Sequence, residues 1–231
     1  MSNKHIQHTD KHPKQDFQVE RLAFFSDAVF AIAITLLIIE FKVPHVTADS
    51  TFESVWGELL DLKYSLFSLL VSFALIATYW IRHHFLFKYV HNYNKRIVIA
   101  NLFILLPIIF FPFTTAFFSE SIENEDVVIL GLRFFLINHI LANISLYFFY
   151  WLALVKYRDF SFEMEMEDKL KFKTETIIPT ITFSMILIIS LFTGNFKLLS
   201  LLLLIGLSAR KFIQRLLMRR ISKKAGHTVS R

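Results

Sequence analysis

The sequence predicts an all-α membrane protein with six transmembrane helices per subunit and both termini in the cytoplasm. Three observations predict it. The chain has 231 residues, 55% of them hydrophobic against 19% charged, and 27 are Phe. Its apolar residues gather into six long runs, and a helical crossing of a bilayer needs roughly 20 such residues. Lys and Arg fall on alternate connections between those runs, which sets orientation because basic loops stay on the cytoplasmic side.

The runs cover roughly residues 22–41, 64–87, 97–118, 127–154, 176–193 and 196–217. None alternates polar with apolar residues as barrel strands do, so helices are the way to satisfy the backbone in lipid. The first run follows a polar stretch, residues 1–20, that lacks the apolar core and cleavage site of a signal peptide and reads as a cytoplasmic N-terminal tail. Its His5, His8 and His12 are scattered, and solvated side chains explain them better than a metal site does. Pro107 and Pro112 sit inside the third run and should kink it and free backbone carbonyls. The fourth is long enough to tilt or to project past the membrane. Only Thr193, Gly194 and Asn195 part the fifth from the sixth, which suits a tight helical hairpin. The six-helix domain is expected to span residues 21–217, with a basic cytoplasmic tail at 218–231. The stretch from Arg210 onward reads as a positive-inside anchor, or as a basic helix for a membrane surface or a partner.

The charge pattern is detailed. The first stretch carries Lys4, Lys11, Lys14 and Arg21; the second connection has Arg82, Lys88, Lys95 and Arg96. The fourth has Lys156, Arg158, Lys169, Lys171 and Lys173. On the other side, Lys42 and Lys63 are outnumbered by Glu40, Asp49, Glu53, Glu58 and Asp61. The third connection holds Glu120, Glu123, Glu125 and Asp126 and no base, and the last turn only Lys197. Residues 156–175 mix both signs and are expected to form a cytoplasmic helical linker with a solvated face.

Absences exclude several functions. Without cysteine there is no disulfide, thiolate metal site or thiol nucleophile. Five glycines, at 57, 131, 194, 206 and 226, cannot build a backbone carbonyl filter or a phosphate loop. The paired Gly or Pro interruptions of broken transporter helices are missing. No Ser-His-Asp or metal-hydrolase pattern is visible. Hence no enzyme, cofactor or resident metal is expected, and no nucleic-acid partner.

The first run holds the most telling residues. Asp27 is a carboxylate close to an apolar stretch, costly there and therefore a functional candidate. Phe25, Ile32, Leu36 and Ile39 fall on one stripe at about 100° per residue, and Asp27 lies about 220° from Ile32. The stripe and Asp27 therefore meet different surroundings. At the end of the second run, Trp80, His83 and His84 share helical spacing. Two readings of them stand: a hydrogen bond from His83 or His84 satisfies Asp27 with Ser26 nearby, or the Trp and His residues sit in the interfacial belt. In the fourth run, Arg133 can snorkel outward, and His139 is either an interhelical hydrogen bonder or part of a proton path.

Arg21, Phe25, Ser26 and Asp27 spell R-x-x-x-F-S-D. This resembles the signature of the endosomal/lysosomal potassium channel family (the transmembrane protein 175 family), in its prokaryotic branch. Trp80-x-x-His83-His84, Asn101 and Pro112-Phe113-x-Thr115 are also similar to that family, and the six-helix layout covers nearly the whole chain. The resemblance implies a homotetramer in the cell membrane, bathed in lipid, whose first helices line a central pore. Bulky apolar side chains form the constriction in place of carbonyls, and potassium passes in preference to sodium as the permeant ion. Carried onto this chain, the constriction is Ile32, Leu36 and Ile39, with Thr35 beside them; Glu40, directly after Ile39 and before an acidic connection, is expected to flank the outer mouth. Arg21, Phe25, Ser26, Asp27, Trp80, His83, His84 and Asn101 become a network that knits the first helix to its neighbours. Ala31 stands where some relatives place a hydroxyl. A narrow apolar ring makes an ion shed water or gates by dewetting, and potassium holds its water less tightly than sodium. The rival reading is a proton channel or proton-coupled transporter using Asp27, His83, His84 and His139.

Overall fold

The computed structural model describes residues 13–39, 44 and 46–229. Among them are seven α-helices: α1 (Pro13–Ile39), α2 (Phe52–Asp61), α3 (Lys63–Phe87), α4 (Lys95–Ser121), α5 (Val128–Tyr150), α6 (Met166–Phe192) and α7 (Phe196–Val229). A π-helical segment, Trp151–Lys156, extends α5, and a short 3-10 turn follows at Arg158–Phe160. The described residues contain no β-strand, only an isolated antiparallel bridge between Val90 and Ser161. Among the described residues, five stretches are long and apolar enough to cross a membrane: Gln18–Ile39, Ser65–Phe87, Lys95–Ser121, Val128–Lys156 and Met166–Phe192. The sixth expected run lies in α7, which continues unbroken past Arg210, Lys211 and Arg215 to Val229.

Several boundaries differ from expectation. The helix of the first run begins at Pro13, so the division at residue 20 falls within α1, and His5, His8 and His12 lie outside the described residues. The basic stretch expected to begin at 218 continues α7 as one helix. The charged linker does not form a helix of its own: its second half is the first turns of α6, where Glu167 and Asp168 occupy the N-terminal turn and suit the positive end of the helix dipole. Helix α2 was not expected at all. It starts on a reciprocal cap, in which the Thr51 and Ser54 side chains each accept from the other's backbone N–H. Prolines do not break the long helices: Pro107 and Pro112 lie inside α4, and Pro179 inside α6.

Helix α4 is the centre of the bundle and packs against α1, α3 and α5, while α5 carries α6 and α6 carries α7. The main core joins Phe30, Ala33 and Leu37 of α1 to Ile76 and Leu86 of α3, Ile104, Ile108 and Phe111 of α4, and Leu146 and Phe149 of α5. A smaller core, including Leu132, Leu136, Phe183, Ile186 and Leu199, holds α5, α6 and α7 together. Glycine permits one of the closest approaches: a Cβ at Gly131 would collide with Ser121 and with the α4 backbone at Phe118, the small-residue contact favoured between helices in lipid.

The second and fourth connections meet. His91 N donates to Phe160 O at 3.0 Å, Phe162 N to Tyr89 O at 2.7 Å, and Arg96 to the Tyr157 hydroxyl at 2.7 Å. The Tyr89 hydroxyl donates to Asp168. Burial, aided by that hydrogen bond and the charges of Asp168 and Glu165, pushes Tyr89 up to about 12, so the proton stays in place at neutral pH. These contacts put the two basic connections on one side of the bundle, as alternating crossings require.

Candidate functional site

The head of α1 is tied to α3 and α4 by a directional chain of side chains. His83 Nε2 donates to Asn101 Oδ1 at 2.8 Å, and Asn101 Nδ2 donates to Ser26 Oγ at 2.8 Å. Ser26 in turn donates to the Leu22 carbonyl at 2.9 Å. All three side chains are buried, where an unmade hydrogen bond is expensive. The Asn101 amide suits the middle of such a chain because it accepts on one atom and donates from the other. Phe30 and Phe87 pack on the His83 ring at 5.5 and 4.5 Å between centroids, which fixes the imidazole plane.

Asp27 belongs to a different set. Its Oδ1 accepts from Trp80 Nε1 at 2.8 Å, which corrects the expectation of a histidine partner. His83 turns inward to Asn101, while His84 stays exposed and stacks on Trp80 at 5.8 Å. Three and four residues along a helix share a side only loosely, and here the neighbouring histidines divide between core and surface. Asp27 is half-buried at the rim of a groove of about 590 Å3 that His84 and Lys88 also line. Arg21 and Phe25 line a neighbouring groove with Tyr93.

The remaining side of α1 is apolar and faces away from the bundle. Ile32, Leu36 and Ile39 are 58%, 36% and 71% exposed, against 1%, 2% and 4% for Phe30, Ala33 and Leu37 on the inward side. Thr35, also exposed, bonds back to the Ile32 carbonyl at 2.9 Å. Phe25 joins the exposed stripe. Glu40 lies outside the described residues.

A second polar cluster ties α3 to α5 deeper in the bundle, and only its His139 was singled out on that account from the sequence. Asn143 Nδ2 donates to the Tyr79 hydroxyl at 2.8 Å and to the His139 carbonyl at 2.9 Å. The Tyr79 hydroxyl lies 3.1 Å from His139 Nδ1. Arg82 donates to Asn143 Oδ1 at 3.1 Å and sits over the Tyr79 ring. His139 Nε2 has no hydrogen-bond partner and is enclosed by the rings of Phe111, Phe135 and Phe183. These contacts make His139 an interhelical hydrogen bonder between α5 and α3. Arg133 does not snorkel freely: it donates to the Ser190 hydroxyl at 3.1 Å and to its carbonyl, joining α5 to the end of α6. Among the described residues no cluster of three or more His, Asp or Glu side chains is placed to hold a metal.

Parts of the chain are similar to known proteins. The profile of the family described as endosomal/lysosomal potassium channel TMEM175 matches residues 21–112. A potassium channel of Chamaesiphon minutus is 40% identical over 114 residues, 49% of this chain and 55% of that one. A potassium channel of Streptomyces collinus is 35% identical over 105 residues, 46% of this chain and 50% of that one. The match thus spans about half the length of these curated relatives. The crystal structure of a lysosomal potassium-selective channel TMEM175 homolog from Chamaesiphon minutus superposes with a TM-score of 0.68. That superposition covers 86% of this chain and 98% of the other at 23% identity, so the shared fold reaches well beyond the shared sequence. The R-x-x-x-F-S-D head and its His83 and Asn101 anchors thus lie in the part of the chain, residues 21–112, that is similar to the TMEM175 family, and the fold as a whole is similar to that of a solved TMEM175 homolog.

Proposed function

We propose that the chain is one subunit of a homotetrameric, potassium-preferring cation channel in a prokaryotic plasma membrane. The first helix of each of four six-crossing subunits lines the pore, with α7 as the sixth crossing and both termini in the cytoplasm. Ile32, Leu36 and Ile39 form the constriction, Thr35 and Glu40 flank it, and Arg21, Phe25, Ser26, Asp27, Trp80, His83, His84 and Asn101 hold α1 in place. The observation that carries this reading is the division of α1: a buried polar and apolar side fixed by Ser26, and an apolar side left without cover by its own chain. One chain offers one such helix and cannot enclose a conduit with it, so assembly is part of the function. A ring of Ile and Leu side chains supplies no oxygen ligands. It selects by the cost of shedding water, which is lower for potassium.

Asp27, His83 and His139 fall in three separate hydrogen-bonded sets, which favours the channel over a proton relay through them. Purified protein in liposomes under opposed potassium and sodium gradients tests the reading. The reversal potential should lie towards that of potassium and shift little with a pH gradient. Current that follows protons, or no current at all, refutes it.

A further inference from the structure

Between α5 and α6 a groove of about 400 Å3 opens sideways from the bundle, within the size range of ligand sites. Ile144, Tyr147 and Trp151 line one wall, and Thr176, Ile177 and Ile181 the other. All of these belong to stretches apolar enough to cross a membrane, which on the proposed topology places the groove at the depth of the bilayer. Asn143, Thr176 and Thr180 also line this otherwise apolar slot. Asn143 and the Thr180 hydroxyl bond within the chain, whereas the Thr176 hydroxyl, on a residue 1% exposed, has no hydrogen-bond partner, an arrangement that suits an acceptor from outside the chain.

Two lysines lie near the Trp151 end of the groove. Lys156 Nζ lies 5.3 Å from the Trp151 ring and 5.9 Å from that of Tyr157. Five residues apart on an α-helix, the two side chains would diverge by about 140°. The π-helical segment Trp151–Lys156 closes its turn over five residues and brings them together. Lys173 Nζ lies 6.0 Å from the Tyr150 ring. On α6 it precedes Thr176 and Ile177 by three and four residues, the spacing of one helix side. Both lysines are exposed.

We infer that this groove binds an anionic phospholipid: one acyl chain lies against Ile144, Ile177 and Ile181, the Thr176 hydroxyl donates to an ester carbonyl, and the phosphate sits between Lys156 and Lys173. The occupant must be apolar along most of its length, offer an acceptor near one end and carry negative charge at that end. An anionic lipid of the leaflet facing the basic connections has those parts in that order.

Native mass spectrometry of the purified full-length protein, titrated with dioleoyl phosphatidylglycerol and dioleoyl phosphatidylcholine, tests this. One phosphatidylglycerol per subunit should survive activation that strips phosphatidylcholine. A lysine at an anionic lipid surface is worth roughly five-fold in binding, so Lys156→Gln with Lys173→Gln should lower phosphatidylglycerol affinity about ten-fold or more and leave phosphatidylcholine unchanged. Lys197→Gln, at the opposite end of α6 and α7, should change neither. Ile181→Trp, filling the groove, should remove the retained lipid. Equal retention of the two lipids by the native protein overturns the inference, and this arm needs no variant. So does undiminished phosphatidylglycerol binding in the double variant. Loss of the tetramer in Ile181→Trp, with no retained lipid in the native protein, would assign the groove to a neighbouring subunit instead.

Discussion

On α1, Phe30, Ala33 and Leu37 are buried against α3 and α4, while Ile32, Leu36 and Ile39 from the same turns remain exposed. The two sides are equally apolar, and hydrophobic periodicity alone cannot say which faces the core. What separates them is polar. Ser26 precedes Phe30, Ala33 and Leu37 at steps of four, three and four residues, so all four share one side of the helix. Asn101 pulls Ser26 into the bundle, and the rest of that side follows. A few hydrogen bonds at the helix head thereby set its rotation and decide which apolar stripe faces outward.

The strongest way to break this division is to remove the middle of the chain of hydrogen bonds. In Asn101→Ala the buried His83 N–H loses its acceptor and Ser26 loses a donor, at a cost of about 1–3 kcal/mol for each group left unsatisfied. The expected outcome is a lower unfolding temperature and poor assembly, read by thermal unfolding and gel filtration in detergent. A variant with native stability and native assembly would show that rotation of α1 is set elsewhere. A residual side-chain cluster such as Tyr79–His139–Asn143 then becomes the better suspect.

Next come substitutions on the outward stripe. Were Ile32 part of a packed core, Ile32→Asn would bury an unpaired amide and destabilise the protein. At a pore constriction it hydrates the ring and lowers the barrier for every cation. Ile32→Asn and Leu36→Ala should therefore retain assembly, raise current about ten-fold, equivalent to ~1.4 kcal/mol of barrier, and weaken discrimination between potassium and sodium. Unchanged permeability ratios in well-assembled variants of both would remove the stripe from the conduit.

Asp27 sharpens the comparison from the edge between the two sides. Its partner, Trp80, is itself exposed, so water can replace a lost bond in part. Asp27→Ala should cost about 1 kcal/mol, and Asp27→Asn less, because the amide oxygen still accepts from the indole. Neither should change ion preference. Altered selectivity with unchanged stability would place Asp27 at the conduit, contrary to its position beside α3.

Much of this was legible in the sequence, and the failures have physical causes. Crossings show in composition because lipid demands an uninterrupted apolar surface, so the first five runs match spanning helices. The ends do not show, since a helix can continue into water once nucleated. For that reason α1 starts early at Pro13, α6 reaches back to Met166 and α7 runs on to Val229. Helix α2 escaped notice because Glu53, Glu58 and Asp61 dominate its reading as an acidic loop, although Phe52 and Trp56 stack on one side of it. The signature residues are readable as a group, but their pairing is not. Whether Asp27 accepts a hydrogen bond from Trp80 or from a histidine depends on how α1 crosses α3, and only the packed bundle decides that. Thr176 and the lysine rim could not be foreseen either, because the π-helical turn that brings Lys156 back over Trp151 has no sequence mark of its own.

The smallest expected effect lies at the outer end of the stripe. Glu40 follows Ile39 directly, and the connection beyond it carries Asp49, Glu53, Glu58 and Asp61. On the proposed topology these carboxylates sit at the external mouth, where they raise the local cation concentration without touching the constriction. Such a field is screened over about 10 Å at 0.1 M salt and over about 30 Å at 0.01 M. Glu40→Gln should thus lower inward single-channel current by about two-fold or less at 0.01 M potassium, and hardly at all at several tenths molar. Permeability ratios should hold at both, because the ring of Ile32, Leu36 and Ile39 is unaltered. An equal loss at both ionic strengths would mean that Glu40 contacts the permeant ion directly, and would extend the selective part of the outward stripe by one residue.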